Sequence, residues 1–309
     1  MTKIYKYFPH EVLSLVFEKN GFCGLKCAFP KDYNDPFELF LSIGQSIAPD
    51  TLAFYNDVVQ DIPQRPTTCF SKSPLVTPMW AHYANNQTGF VLEFDSDQLE
   101  KFSGTAMLKD VKYQNDPNND LIGLLHHAAG TKKPRHSYFL TQAAFDTAYF
   151  TKTSEWSYEK ECRLIALEKA ITLANEFQLL VIPTQILSAI IIGANFPEAK
   201  IPLSQKLAQD NELDWYNLRI GKSTNVPYME NIRNEPCVFS KNKIILSKSY
   251  CLECSEPNLE SKDLCPWCSI TKGDRAEAAM TNPFRILDAF GQLEDYIKGA
   301  DAIGRKQKK

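Results

Sequence analysis

Trp156-Ser157-Tyr158-Glu159-Lys160-Glu161-Cys162-Arg163-Leu164-Ile165-Ala166-Leu167 opens as a turn and ends as an apolar strand. Further short strand candidates lie on both sides of it. Towards the C-terminus they are residues 177–182, 190–193 and 215–220, with a helix at 197–210. Towards the N-terminus, 121–150 reads as helical, 115–119 as a polar loop and 109–113 as a strand. The turn Asn85-Asn86-Gln87-Thr88-Gly89 feeds a strand at 90–94. Residues 74–84 form a short helix and 67–71 a buried strand. At the start, 3–8 alternates as a strand, and Pro9-His10-Glu11 opens a helix in which Val12, Leu15 and Val16 share a face. Gly21 stops that helix, 22–29 is a second strand, and a loosely patterned helical stretch runs from the loop at 32–38 to about residue 62. Short strands and helices in irregular order, with no internal repeat, predict an α+β domain rather than a repeating βαβ fold.

The 309 residues give room for one large domain or two smaller ones. With 44% hydrophobic and 23% charged residues, a packed core is expected and wholesale disorder is excluded. A net charge of −3 offers no bulk attraction for nucleic-acid phosphates. The first residues lack the apolar core of a secretion signal, and no apolar run approaches the roughly 18 residues that span a bilayer. The expectation is a cytoplasmic protein without membrane contact, in which clustered cysteines serve as metal ligands rather than disulfides.

Four of the nine cysteines fall into such a cluster: Cys251, Cys254, Cys265 and Cys268 form two Cys-x2-Cys pairs. A two-residue gap lets two thiolates converge on one ion, and the excursion between the pairs returns the second two to complete a tetrahedron. A four-thiolate zinc site has no open position, so its role is folding rather than catalysis. Such a knuckle can contact nucleic acid or protein, and Trp267 between the last two ligands would either stack on a base or cover the metal. Cys23-x3-Cys27 has no partner pair and is expected to pack as apolar side chains. The predicted organisation is a domain over 1–220, a linker over 221–249, and a zinc knuckle with a helix at about 282–299 within 250–309, ending in a frayed tail at 304–309.

Three clusters in the main domain carry chemistry. In Tyr5-Lys6-Tyr7 the two tyrosines share one strand face and Lys6 points away; aromatic packing on an edge strand is the other reading. Ser71 and Met79-Trp80-Ala81-His82-Tyr83 form the second cluster. His82 there is either a base or phosphate ligand, or a satisfied core or surface residue. Glu159 and Glu161 form the third, read as i and i+2 on a strand, projecting to one face about 7 Å apart. Such carboxylates engage a ligand or share a proton unless Arg163 neutralises one of them. An exposed face of Glu–Arg pairs is the competing account.

Tyr5-Lys6-Tyr7, Tyr33-Asn34-Asp35-Pro36-Phe37-Glu38, Cys69-Phe70-Ser71, Met79-Trp80-Ala81-His82-Tyr83, Gly89 with Leu92-Glu93-Phe94, and Lys152 with Trp156, Glu159, Glu161 and Arg163 occur in this order. Together they resemble a widespread bacterial family known only as domain-of-unknown-function family 2971, over about residues 3–193. The order of elements is similar to that of ADP-ribosyltransferases of the DNA-modifying toxin and RNA 2′-phosphotransferase types. That resemblance implies mixed sheets with flanking helices and NAD as substrate. It places Tyr5, Lys6, Tyr7, Ser71, His82, Tyr83 and Arg163 around the dinucleotide, with Tyr83 stacked on nicotinamide. Glu161 would stabilise the oxocarbenium-like transition state and Glu159 would orient or deprotonate the acceptor. Lys6 stands where those enzymes carry His or Arg. The loop residues Asn34, Asp35 and Glu38 would bind substrate or only build the turn before Pro36. The acceptor would be a nucleic acid or a protein, and a toxin or phage-defence role follows by analogy. Two other classes compete: a metal-dependent nuclease using Asp35, Glu38, Glu159 and Glu161, and a non-catalytic zinc-containing binding module.

Overall fold

Side chains alternate across the first strand, β1 (Lys3–Phe8), and both of its faces are used. Ile4 and Phe8 join one apolar cluster, whereas Tyr5 and Tyr7 join another. The strand therefore lies between two layers, and the fold builds outward from it. The computed structural model describes all residues except 1, 34, 36–42, 44–45, 61, 117, 175–176, 259–262 and 307–309, together with the side chains of 303–306. It divides into two units, residues 1–220 with 226–247, and residues 221–225 with 248–309.

The strands that follow in the first unit are β2 (Phe22–Cys27), β3 (Thr67–Ser71), β4 (Phe90–Asp95), β5 (Thr105–Asp110), β6 (Lys112–Tyr113), β7 (Thr151–Lys152) and β8 (Glu161–Ala166). After them come β9 (Ile171–Ala174), β10 (Phe177–Pro183), β11 (Leu187–Ile192), β12 (Asp214–Arg219), β13 (Tyr228–Asn231), β14 (Pro236–Ser240) and β15 (Lys243–Leu246). Ten of them form one sheet in the order β15-β14-β13-β12-β11-β4-β1-β3-β8-β5, and a second sheet has the order β2-β10-β9. In the large sheet only β11 and β12 run parallel among the described pairs, joined by the helix Ile201–Asp210. The class is mixed α+β, with antiparallel pairing dominant.

The apolar residues of β2 and β10, among them Cys23, Leu25, Leu180 and Ile182, pack with Ile4, Phe70, Leu92 and Leu164 of the large sheet. Cys23 and Cys27 are buried as expected. On the opposite face, Trp80, Tyr5, Tyr7, Ile191, Leu218 and Met229 form the second cluster. A third cluster joins the helices Pro49–Val59, Asn119–Thr131 and Pro134–Phe150 through Tyr55, Leu125, Leu140 and Ala144.

Several elements depart from expectation for local reasons. Residues 228–246, expected to be linker, form β13, β14 and β15 and extend the sheet. The helical stretch 121–150 is two helices, because Lys132 takes a left-handed φ of 50° and Pro134 starts a new helix. A helix at Lys272–Thr281 comes first, and the helix expected at about 282–299 is two, Pro283–Ala289 and Leu293–Lys306. Asn282 caps Pro283–Ala289, and Gly291, at φ 66°, separates it from Leu293–Lys306.

The predicted turn before β4 is held by close backbone approach. Asn85, Asn86 and Gln87 all take positive φ. A Cβ on Gly89 would meet the Phe8 carbonyl oxygen at 2.1 Å and the Ala84 backbone at 2.8 Å. Gly89→Ala is therefore expected to cost about 3 kcal/mol through forced backbone displacement. Urea denaturation of the two proteins measures it, and a loss below about 0.5 kcal/mol, the level of an ordinary surface substitution, would contradict the packing account.

Candidate functional site

β1 and β3 are neighbours in the sheet, yet their register consists of one pair, Tyr5 with Ser71. β1 instead pairs along its whole length with β4, and β3 along its length with β8. Beyond Tyr5–Ser71 the two strands no longer share a ladder. Thr67 at the start of β3 turns to Ala28, which follows β2. A cavity of about 630 Å³ occupies this parting of the strands. Lys6, Tyr7 and Phe8 border it from one strand and Thr67, Thr68, Cys69 and Phe70 from the other. The Lys6 amine crosses the gap to donate to the Cys69 carbonyl at 3.1 Å.

At one end of the cavity stand two glutamates. Glu159 ends the 3₁₀ turn Ser154–Glu159, Lys160 takes a left-handed φ of 47°, and Glu161 opens β8. The expected i, i+2 strand geometry is thus replaced by a turn, because the left-handed residue breaks the pleat between them. The carboxylates are united by a third residue. Lys152 donates to Glu159 Oε2 at 2.8 Å and lies 3.6 Å from Glu161 Oε2. Its amine also sits 4.3 Å from the centroid of the Trp156 ring. Tyr83 donates its hydroxyl to Glu159 Oε1 at 2.7 Å.

Glu161 is further held by Arg163, whose Nε and Nη2 donate to its two oxygens at 2.8 and 3.1 Å. Arg163 has no exposed surface; its Nη1 donates to the Tyr149 carbonyl at 2.9 Å, and Tyr33 covers it at 5.6 Å. The expected neutralisation of one carboxylate by Arg163 is therefore present, as a forked pair. Burial alone would raise the pKa of Glu161. The guanidinium of Arg163, by charge and hydrogen bonds, outweighs that, and with Lys152 it holds the carboxyl below its usual range.

The structure brings together most, but not all, of the residues singled out. Tyr5, Lys6, Tyr7, Asp35, Tyr83, Glu159 and Glu161 border the cavity. Ser71 lies in register between Tyr5 and Glu161 but is fully buried, and its hydroxyl accepts from the Ser73 amide at 3.2 Å. Arg163 stands behind Glu161. The Tyr5 hydroxyl donates to Glu93 at 2.8 Å, and Tyr7 donates to the Ser73 carbonyl at 2.9 Å. His82 is exposed, with its ring against Tyr83, and is not among the lining residues; Trp80 is core. Asn34 and Glu38 lie outside the described residues. Sequence reasoning gave no role to Lys152, Tyr33, Tyr113 or Cys69, which complete the polar cluster. The clue was two nearby carboxylates facing one arginine, one cation short of balance.

In the second unit, the metal-ligating atoms of Cys251, Cys254, Cys265 and Cys268 all lie within 4.8 Å of one another. The Cys254 and Cys265 sulfurs are 3.8 Å apart, the edge of a tetrahedron with metal–sulfur bonds of about 2.3 Å. The Cys268 amide points at the Cys265 sulfur at 3.4 Å, as a ligating thiolate requires. The four thiols fit a closed metal site such as zinc's. Trp267 is more than half exposed. Glu256, buried beside the cluster, accepts from the amides of Lys222 and Ser223 at 3.0 and 2.8 Å. It thereby ties the strand of chain at 221–225 to the knuckle rather than binding metal.

Residues 79–164 match the family model described as Protein of unknown function (DUF2971). The matched stretch carries Tyr83, Lys152, Glu159, Glu161 and Arg163 and excludes β1, β2, β3 and the cysteine cluster. No curated protein and no solved structure matches the chain. Among the described residues, no helix is long and apolar enough to cross a membrane.

The ion cluster has a pH signature. A carboxyl whose pKa is lowered by folding adds stability that is complete above the usual carboxylate range and fades as pH falls through the folded value. Glu161→Gln leaves Arg163 buried without its partner and is expected to lose about 3–5 kcal/mol at neutral pH. The gap to wild type narrows as pH falls from neutral to about 3, because the unfolded chain takes up the Glu161 proton before the folded one does. Urea midpoints at the two pH values test this; an equal gap at both would show that the pair adds nothing.

Proposed function

We propose that the first unit is an ADP-ribosyltransferase-like enzyme that breaks the nicotinamide–ribose bond of NAD and transfers ADP-ribose to an acceptor. The observation that supports it is convergence on one cavity. Residues of the first strand, the aromatic Tyr83 and the paired glutamates before and at the start of β8 all border it. Its volume of about 630 Å³ falls within the range of small-molecule and cofactor sites.

Chemically, the bond to be broken leaves positive charge on the ribose as nicotinamide departs. An ionised carboxylate aimed at that charge stabilises the transition state more than the ground state. Arg163 and Lys152 keep Glu161 ionised, which this role requires. Glu159 receives one donor on each oxygen, from Tyr83 and Lys152, so each oxygen retains a lone pair for a sugar or acceptor hydroxyl. Glu159 would then orient or deprotonate the acceptor, and Tyr83 would present its ring to nicotinamide. The same pairs weigh against a metal-dependent nuclease, because Lys152 and Arg163 already supply the positive charge that a divalent ion would bring.

NAD consumption and nicotinamide release, measured side by side for wild type, Glu161→Gln and Tyr83→Phe, test the proposal. Wild type is expected to consume NAD. Tyr83→Phe, which keeps the fold, should slow it about tenfold, and Glu161→Gln by about a hundredfold or more. Folded wild type that leaves NAD intact in the presence of total cell lysate would end this reading.

For the second unit the proposed ion is zinc, in a structural role. Metal analysis of the purified chain should give about one zinc per molecule, and Cys265→Ser should lose it while exposing residues 248–309 to protease. Full zinc content in the serine variant would exclude Cys265 as a ligand.

A further inference from the structure

Lys6 has a setting unlike that of any other cation in the cavity. On β1 it points to the face opposite Tyr5 and Tyr7. Its amine lies 5.8 and 5.6 Å from the ring centroids of Phe8 and Phe70 and has the Cys69 carbonyl as its hydrogen-bond partner. Among the described residues, no carboxylate lies within ion-pair distance of it. By contrast, Lys152 is bound to Glu159, and Lys26 at the rim is exposed.

The acids around Lys6 come from three elements: Cys23 and Cys27 on β2, Cys69 on β3 and Glu161 on β8. Burial raises the pKa of all three thiols, that of Cys27 to about 11, so at neutral pH they carry no charge. Glu161 is committed to Arg163 and Lys152. Burial therefore dominates at Lys6 and lowers its pKa below the usual lysine value, against the opposing pull of Cys69, Cys27, Glu161 and Cys23.

We propose that Lys6 is a nucleophilic amine that captures a small aldehyde or ketone with an apolar body as an imine within this cavity. A half-buried lysine with no carboxylate partner among the described residues, beside an apolar cavity, is the arrangement that carbonyl capture needs, since only the unprotonated nitrogen has the lone pair to attack. That nitrogen bonds to the carbonyl carbon, the carbon–oxygen bond breaks, and the oxygen leaves as water with the two amine hydrogens. No oxidant or metal enters, and hydrolysis reverses the step. Phe8, Phe70 and Leu179 supply the apolar wall, and Gly24 keeps the approach open. The inference does not depend on NAD being the substrate.

The test uses the folded wild-type chain, benzaldehyde as probe and cyanoborohydride to trap the imine at pH 7, with labelled lysines located by peptide mass spectrometry. Lys6 should label at least about threefold faster than exposed Lys26, because more of its amine is unprotonated at pH 7, and the advantage should shrink as pH approaches the usual lysine value. Labelling of Lys6 no faster than Lys26, or none at all, would overturn the proposal.

Discussion

Arg163 sits in the middle of a strand, flanked in register by Cys69 on β3 and Lys109 on β5, and none of its surface reaches solvent. A guanidinium placed there costs several kcal/mol unless its donors are met. Glu161 takes two of them and the Tyr149 carbonyl another, while the guanidinium lies over the Tyr33 ring. Three separate pieces of chain are thereby fixed: the start of β8, the end of the helix Pro134–Phe150, and the segment after β2. The groups that hold the fold at this point are the same groups that set the charge of the cavity. Stability and site chemistry are not independently adjustable here, because any change that frees Glu161 also strands a buried cation.

The cavity has an equally structural origin. A continuous ladder between β1 and β3 would close the sheet and leave no space. Pairing stops after one residue pair, and Thr67 pairs with Ala28 instead, so the small sheet is drawn against the large one where the strands part. Lys6 then takes a carbonyl across the opening, as a side chain standing in where the ladder has ended. A strand carbonyl in this position needs a donor, and supplying it from a flexible lysine keeps the gap open to a ligand.

How much of this could be read beforehand depended on the range of the interaction. Local patterns revealed β1, β3, β4 and β8 and the cysteine cluster, since period, turn residues and ligand spacing lie within about ten positions of one another. The pairing of Glu161 with Arg163 was visible for the same reason. Tyr33 was not, because its contact with Arg163 joins distant parts of the chain; Lys152 lies close to both glutamates in sequence, but the 3₁₀ turn Ser154–Glu159 that brings them back to its amine has no period to announce it. The turn at Lys160 was lost because a left-handed lysine carries no composition signal; glycine or asparagine would have announced it. β13, β14 and β15 escape a reading from pattern because strands of four or five residues are too short to show a period, and pairing outward from β12 supplies the order.

The second unit reverses the balance that governs the first. Among its described residues, the buried side chains are Cys251, Glu256 and Cys265. Met280, Phe284 and Tyr296 on its helices and Phe290 just after one are more than half exposed, so apolar burial within the unit contributes little. A segment of this size without a core does not fold on hydrophobic free energy alone. Four thiolates on one ion would change that sum, since binding energy becomes folding energy when no site exists in the unfolded chain. The two buried cysteines and the buried glutamate lie at the one place where the unit is well packed, and that place is the cluster. The unit's physical makeup thus supports the metal proposed there alongside the spacing of the four cysteines.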